Sequence, residues 1–176
     1  LFNNVAIGAR YAQRRHHLSR ILIVDWDVHH GNGTQAIFED DPSVLYFSTH
    51  QFPFYPGTGA RAERGRGAGE GFTLNVPLPE GAGDAELVRA FRQELRLRAL
   101  EFAPELVLIS AGFDAHRDDP LAGLSVSEAG YAELTRIVRE IADRCCRGRV
   151  VSVLEGGYDL RALGASVDAH LRVLLE

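Results

Sequence analysis

Residues 21–31 read ILIVDWDVHHG, and both the expected fold and the expected site depend on this stretch. Ile21 to Val24 is a run of apolar, mostly β-branched residues, which is typical of a buried strand. Asp25, Asp27 and His29 follow at every second position, and residues at that spacing project from one face of an extended strand. Carboxylates held so close together repel each other unless a cation or hydrogen-bond donors neutralise them. We therefore predict a metal site here; the alternative is that the aspartates cap the next helix and His29 is a packed ring.

Strand patterns alternate with helical patterns along the rest of the chain. Strands are predicted at 21–28, 44–48, 72–76, 106–110 and 150–154. Amphipathic helices are predicted at 5–13 and 85–102. A third is predicted to begin at Ser127, whose hydroxyl could cap it, and a fourth to run from Tyr158 to the end. This alternation indicates an α/β fold with a mostly parallel sheet. No repeat or low-complexity linker divides the sequence, so we expect a single domain over residues 1–176.

Composition narrows the class of protein. The 176 residues carry a formal net charge of −5, so no overall basic field would gather nucleic acid, and all 19 basic residues are arginine. No window approaches the ~20 consecutive apolar residues of a membrane span. Cys145 and Cys146 are adjacent, which is poor geometry for a structural disulfide and fits a reducing compartment. We expect a cytoplasmic protein that contacts neither membrane nor nucleic acid, and an interior piece of a longer chain because it begins at Leu1.

Residues 51–71 form the longest segment without a strand or helix pattern, and they contain Pro53, Pro56 and six glycines. A loop of this length inside a compact domain is usually functional. Its first half includes Phe54 and Tyr55, so it could form a stiff aromatic rim that grips an extended chain. The alternative is a mobile surface loop with a few packed aromatic rings.

Open parallel sheets bind ligands beyond the carboxyl ends of their strands, so the residues that follow each strand are the candidates for chemistry. The fourth predicted strand is followed by Asp114, and the fifth by Glu155, Gly156, Gly157 and Tyr158. Asp27, His29 and Asp114 would supply two carboxylates and one imidazole, leaving a position for water as in a catalytic divalent site. Tyr158 follows two flexible glycines and could stabilise an oxyanion from the rim of the same pocket.

Five segments in order resemble the histone deacetylase superfamily, which includes acetylpolyamine amidohydrolases and acetoin-utilisation proteins. They are DWDVHHGNGTQ at 25–35, FYPGTG at 54–59, NVPLP at 75–79, SAGFDAHRDDPLAG at 110–123 and LEGGYD at 154–159. The FDAHRDDP wording is similar to class II and bacterial members. The resemblance implies an arginase/deacetylase-type three-layer α/β fold whose N-terminal part is missing from this chain.

The same resemblance implies a zinc-dependent amidohydrolase. Its substrate would be acetyl-lysine, in histones or other proteins, or an acetylated polyamine, cleaved to acetate and a free amine. The zinc ligands would be Asp27, His29 and Asp114, and Tyr158 would polarise the acetamide carbonyl. The substrate channel would be lined by Tyr55, Gly156 and Gly157.

Relatives in this superfamily also bind potassium. By resemblance, Asp25 would lie behind the zinc ligands and share a monovalent-cation site with Ser48 and Thr49. A second site would use the backbone carbonyls of Phe38, Asp41, Val44 and Phe72. Carbonyl ligands leave no side-chain signature, so this second site rests on the resemblance alone.

This chain departs from the superfamily pattern at its start. Relatives carry a Gly-His-His segment upstream of the position of Leu1, and its tandem histidines act as general base and electrostatic partner. His30, His50 and His116 do not match that pair. General-base help is typically worth about 10² to 10⁴ in rate, so we expect this chain alone to be inactive or nearly so. We also expect an exposed apolar edge and face, and hence aggregation, where upstream elements would cover the sheet.

Two alternatives remain at this point. Residues 114–118, DAHRD, resemble the manganese motif of ureohydrolases of the arginase type, which would hold two metal ions. The other alternative is a non-catalytic module that binds acyl-lysine or a corepressor.

Overall fold

Five strands form one sheet in the order β3-β2-β1-β4-β5, and every pairing between them is parallel. The structure is a computed structural model that describes residues 2–176. The strands are β1 (Ile21–Asp25), β2 (Val44–Gln51), β3 (Thr73–Leu78), β4 (Leu106–Ala111) and β5 (Val150–Leu154). The helices are α1 (Asn4–His16), α2 (Asn32–Phe38), α3 (Asp84–Ala90), α4 (Arg96–Phe102), α5 (Glu128–Cys146) and α6 (Leu160–Leu175). A π-helical turn, Phe91–Leu95, joins α3 to α4.

Alternate residues of β1 enter two different hydrophobic cores. Ile21 and Ile23 pack on the face that α1 and α2 cover, whereas Leu22 and Val24 pack on the face that α3 to α6 cover. A strand buried on both faces needs apolar side chains at every position, which explains the unbroken run of β1. The three-layer α/β fold predicted from the sequence is confirmed.

The strand order places the switch point of the sheet beside Asp25. The chain adds β2 and β3 on one side of β1 and then returns to add β4 and β5 on the other. In register, Asp25 pairs with Ser48 of β2 and with Ser110 of β4. Ligands of open α/β sheets bind where the strand order reverses, so residues just beyond β1 and β4 are placed for binding.

The prediction that the first strand continues to Val28 is wrong. It ends at Asp25, because the Asp25 carboxylate accepts a hydrogen bond from the backbone N–H of Asp27 (3.2 Å) and the chain bends away from the sheet. The second strand runs on to Gln51 instead of ending at Ser48. The predicted cap at Ser127 is confirmed, since its hydroxyl accepts the N–H of Gly130 at 3.1 Å.

Strand β5 has a strand neighbour on one side only within the described part of the chain. Two of its large side chains, Val151 and Leu154, are 49% and 59% exposed. Among residues 2–176, no helix combines the length and the apolar composition that crossing a membrane requires.

Candidate metal centre and channel rim

Asp27, His29 and Asp114 come together beyond the ends of β1 and β4, with one donor atom of each within 4.8 Å of the others. His29 Nδ1 lies 3.1 Å from Asp27 Oδ1 and 3.2 Å from Asp114 Oδ2. Donors about 2.1 Å from a tetrahedral zinc ion lie roughly 3.4 Å apart, so the spacing suits one shared ion. Apart from the 3.2 Å approach of His29 Nδ1, Asp114 Oδ2 is buried without a hydrogen-bond partner among the described residues. Two oxygens and one nitrogen in this arrangement fit a divalent metal.

Backbone amides hold the two carboxylates in place. The N–H groups of Val28 and Gly156 donate to Asp114 Oδ1 and Asp27 Oδ2, each at 2.9 Å. The N–H of His29 donates to Asp27 Oδ1 at 2.9 Å. The chain bends after Asp25, and the bonded backbone there brings the three side chains together. The sequence prediction attributed this convergence to side chains alternating along an extended strand, and that reason was wrong.

The pKa values of the cluster reflect burial and mutual charge. Hydrogen bonds with Asp114 and Asp27 raise the pKa of His29 to about 10. Burial raises the pKa of Asp114 despite the hydrogen bond from His29. Burial also acts to raise the pKa of Asp27, but hydrogen bonds from His29 and from the Gly156 amide outweigh it and leave that pKa lowered. The imidazole of His29 is thus the group placed to counter the charge of both carboxylates.

Asp25 lies behind this cluster and does not join it. Its buried carboxylate accepts a hydrogen bond from the Tyr46 hydroxyl at 3.0 Å, and burial followed by the charge of Asp27 raises its pKa. Ser48 shares a 2.9 Å hydrogen bond with His50 Nδ1. Thr49 Oγ1 is buried without a partner in the described part of the chain. Of Ser48 and Thr49, only Ser48 is a register partner of Asp25, and the monovalent-cation site predicted for Asp25, Ser48 and Thr49 stays a prediction.

The carbonyls predicted for a second cation lie around the start of β2 and β3. Those of Phe38, Asp41 and Phe72 each accept one backbone hydrogen bond, at 3.0, 3.3 and 2.9 Å respectively. A carbonyl oxygen has two lone pairs, so each retains one for another partner. Val44 is the first residue of β2. The second site also stays a prediction.

Tyr158 stands at the rim beside the cluster. Its side chain is 52% exposed, and its backbone N–H donates to Asp119 Oδ2 at 2.8 Å. Burial, followed by the charges of Asp114 and Asp27, raises the pKa of the phenol, so it stays protonated and can donate at neutral pH. Gly157 precedes it with φ of +142°, a conformation that glycine adopts most easily.

Gly156 touches the metal ligands directly. A Cβ atom at this position would overlap Asp114 Oδ2 and would lie 2.6 Å from Asp114 Cγ and 2.8 Å from Asp27 Oδ2. The sequence predicted Gly156 as part of the substrate channel, and the structure places it against the carboxylates that line the channel floor.

The predicted aromatic rim lies over His29. Phe54 stacks on the His29 ring with centroids 5.5 Å apart, and Tyr55 meets it edge-on at 6.1 Å. The loop is tied to the domain, because Thr58 Oγ1 bonds His30 Nδ1 at 2.8 Å and Gln35 Nε2 donates to Glu63 Oε2 at 2.7 Å. Within the loop, Glu63 also accepts the N–H groups of Gly59 and Ala60. Tyr55 remains 76% exposed, so one face is free for a ligand.

Sequence reasoning missed three residues of this site. Phe54 was noted as aromatic but not as the ring that covers His29, Asp119 was not singled out, and Glu155 was noted as following the fifth strand but given no role. Glu155 lines a cavity of about 380 Å³ together with Asp25, Asp27, His29 and Ser110, and burial raises its pKa. Its place directly after β5 was the available signal, since residues that follow other strands were selected on that ground.

The structure separates the remaining members of the ureohydrolase-like motif from the cluster. His116 is buried, and its Nδ1 accepts the backbone N–H of Asp118 at 3.1 Å. The Asp118 side chain is 68% exposed. Of this motif, only Asp114 belongs to the metal-binding group found in the described residues.

Comparisons with known proteins match this chain over nearly its whole length, and they agree on one family. The family model for the histone deacetylase domain matches residues 1–174. "Histone deacetylase 14, chloroplastic" of Arabidopsis thaliana is 49% identical over 175 residues, which cover 99% of this chain and 41% of that protein. "Polyamine deacetylase HDAC10" of Homo sapiens is 49% identical over 182 residues, covering 99% of this chain and 26% of that protein.

A solved structure gives the same result. The crystal structure of the HDA15 HD domain matches with a TM-score of 0.94 at 48% identity, covering 99% of this chain and 49% of that chain. The chain therefore spans between about a quarter and a half of the length of these proteins.

Proposed function

The chain belongs to the histone deacetylase domain family, and from that premise we propose that it supplies the metal ligands and the oxyanion donor of a zinc-dependent deacetylase. The reaction is hydrolysis of the acetamide of acetyl-lysine, or of an acetylated polyamine, to acetate and a free amine. The observation that carries the proposal is the convergence of Asp27, His29 and Asp114, with a buried Asp114 oxygen that among the described residues only His29 approaches, next to the phenol of Tyr158.

Asp27, His29 and Asp114 would hold the zinc ion. When bound, zinc polarises a carbonyl and lowers the pKa of a coordinated water. The Val28 and Gly156 amides each bind one oxygen of Asp114 and Asp27, so each carboxylate would offer its other oxygen to the ion. Removing a group that hydrogen-bonds to a metal ligand typically lowers metal affinity by 10- to 100-fold. The chain's own contribution is thus a rigid, negatively charged ligand set.

Tyr158 would stabilise the negative charge that develops on the acetamide oxygen. Its raised pKa keeps the hydroxyl proton at neutral pH, which a hydrogen-bond donor requires. Phe54 and Tyr55 would form one wall for the methylene stem of the substrate, since an exposed aromatic face packs against apolar chains. No histidine of the described chain other than His29 lies in the ligand cluster, so the general base is proposed to come from outside these residues.

The substrate class follows from relatives only in outline. One relative is named a polyamine deacetylase and others are named histone deacetylases. Acetyl-lysine and acetylpolyamine present the same reacting amide, so both belong to the proposal. We also propose that potassium binds near Asp25. A cytoplasmic location is proposed as well, and cell fractionation tests it against the chloroplast, for which two relatives are named.

The test uses the purified protein that contains this chain. We expect one zinc ion per chain and release of acetate from an acetyl-lysine peptide or from an acetylpolyamine, assayed in parallel. Tyr158→Phe should lower kcat by about a hundredfold or more. Tyr11→Phe makes the same change on an exposed tyrosine of α1 and should leave kcat unchanged.

Other outcomes would overturn the proposal. Two manganese ions per chain with urea-releasing activity would favour a ureohydrolase. Zinc-independent binding of acetyl-lysine peptides without turnover, measured by calorimetry, would favour a binding module. Unchanged kcat in Tyr158→Phe would remove the oxyanion role.

A further inference from the structure

One carboxylate joins the segment that carries Tyr158 to the loop that carries Asp114. Asp119 Oδ2 accepts the backbone N–H of Tyr158 at 2.8 Å, and Asp119 Oδ1 accepts the backbone N–H of Leu121 at 3.0 Å. Asp119 is 7% exposed, so neither bond is open to competition from bulk water. A hydrogen bond to a charged, buried acceptor is among the stronger ones in proteins.

The loop beneath Asp119 is a rigid support. Successive turns connect it to the metal cluster, because the N–H of His116 donates to the carbonyl of Phe113 and the N–H of Asp119 donates to that of His116, at 3.3 and 3.0 Å. Val126 pairs with this loop through an isolated parallel bridge to His116. The position of the Asp119 carboxylate is therefore set by the same turns that set Asp114.

Gly156 is anchored through its N–H to Asp27 and through its carbonyl to Phe113, but the two residues that follow it depend on Asp119. Tyr158 follows Gly156 and Gly157, and glycine has more backbone freedom than any other residue. Its side chain is half exposed, and none of the hydrogen bonds found within residues 2–176 involves its hydroxyl. The Asp119 contact is the one that fixes the backbone of Tyr158 itself, and helix α6 begins two residues later.

We infer that Asp119 is a positioning residue, which holds the phenol of Tyr158 at a set place relative to Asp114 and thereby maintains the geometry for oxyanion stabilisation. This inference rests on the proposed function for its catalytic consequence. The hydrogen bonds that the Asp119 carboxylate accepts within residues 2–176 come from Leu121 and Tyr158 and not from the proposed metal ligands, so we expect its effect on turnover to pass through Tyr158. Errors of about 1 Å in such groups can cost up to a hundredfold in rate.

Asp119→Asn tests the inference with little change of shape. An amide side chain has one acceptor oxygen, so one of the two backbone N–H groups must face an NH₂ group instead. We expect kcat to fall by about tenfold or more with zinc content unchanged. Asp118→Asn makes the same change at the neighbouring, exposed aspartate and should leave kcat within twofold of the wild type.

A double-mutant cycle separates positioning from general damage. If Asp119 acts through Tyr158, Asp119→Asn should cost less than twofold in kcat when Tyr158→Phe is already present. An equal loss in both backgrounds would overturn the inference. If the Asn variant does not fold, Asp119→Glu keeps both acceptor oxygens at a different reach and should show a smaller loss with the same dependence on Tyr158.

Hydrogen exchange tests the contact independently of activity. The peptide that contains Tyr158 should exchange its amide hydrogens faster in Asp119→Asn than in the wild type and in Asp118→Asn. Unchanged exchange would overturn the inference even in an active deacetylase. Faster exchange in a protein that lacks deacetylase activity would support the positioning contact and reject the proposed function.

Discussion

Gly156→Ala should weaken metal binding although it leaves all three ligands in the sequence. The added Cβ would overlap Asp114 Oδ2 and approach Asp27 Oδ2 to 2.8 Å, closer than carbon and oxygen normally pack. The backbone N–H of Gly156 also holds Asp27 Oδ2 at 2.9 Å, so any retreat of residue 156 lengthens that bond. One methyl group therefore displaces two ligands at once.

The expected loss of metal affinity in Gly156→Ala follows from the role of residues that contact metal ligands. Disturbing the partners of metal ligands typically costs 10- to 100-fold in affinity. That range corresponds to about 1.4 to 2.7 kcal/mol of binding free energy. Displacement of the ligand oxygens themselves should bring Gly156→Ala to the upper part of the range.

The assay is competition for zinc against a chelator of known affinity, combined with thermal melting with and without zinc. Gly164→Ala is the matched control, because a Cβ there meets nothing within 4 Å in helix α6. Alanine in place of a helical glycine should stabilise the fold by about 0.5–1 kcal/mol and leave zinc affinity unchanged. Equal zinc affinity in Gly156→Ala and Gly164→Ala would refute this account of the site.

Three further outcomes can be measured. The pKa of His29 in the folded chain is about 10, whereas its ordinary value is 6.5. The charge on His29 therefore stabilises the fold fully below pH 6.5, and this stabilisation is lost as the pH rises towards 10. Metal must displace this proton, so apparent zinc affinity should rise with pH, by up to about tenfold per unit, in titrations between pH 7 and 9; a flat profile would contradict this. Burial lowers the pKa of His170 to about 4, so melting temperature should fall as pH drops from 6.5 to 4, and His170→Asn should flatten that slope. The 176-residue chain alone should self-associate through the side of β5 that has no strand neighbour. Light scattering should show less association for Val151→Lys. A monodisperse wild-type monomer would contradict this prediction.

Features set by local sequence were predicted well. The apolar run of β1 and the cap at Ser127 depend on residues a few positions apart, and the structure contains both. The convergence of Asp27, His29 and Asp114 was predictable because these residues follow strands, and parallel strands end at one edge. Even so, the end of β1 was placed too late, since the bond from the Asp27 amide to Asp25 competes with the strand and leaves no periodic signal.

Contacts between distant segments were not predictable in the same way. Gly156 donates to Asp27 across 129 positions of sequence, and Tyr158 donates to Asp119 across 39. Phe54 covers His29 only because the long loop folds back over the sheet edge. Such contacts depend on the relative placement of whole elements, which hydrophobic periodicity does not specify.

The concentration of negative charge at the sheet edge explains why a divalent ion suits this fold. Asp25, Asp27 and Glu155 line one cavity, Asp114 lies in the same cluster as Asp27, and burial raises the pKa of each of the four except Asp27. None of them forms an ion pair with an arginine among the ion pairs found in residues 2–176; only the imidazole of His29 is placed to do so. An arginine fork would satisfy the carboxylates but would occupy the position that a substrate oxygen must reach. A metal ion can neutralise the carboxylates and still accept another ligand, so the cluster's unfavourable charge and its chemistry have the same physical origin.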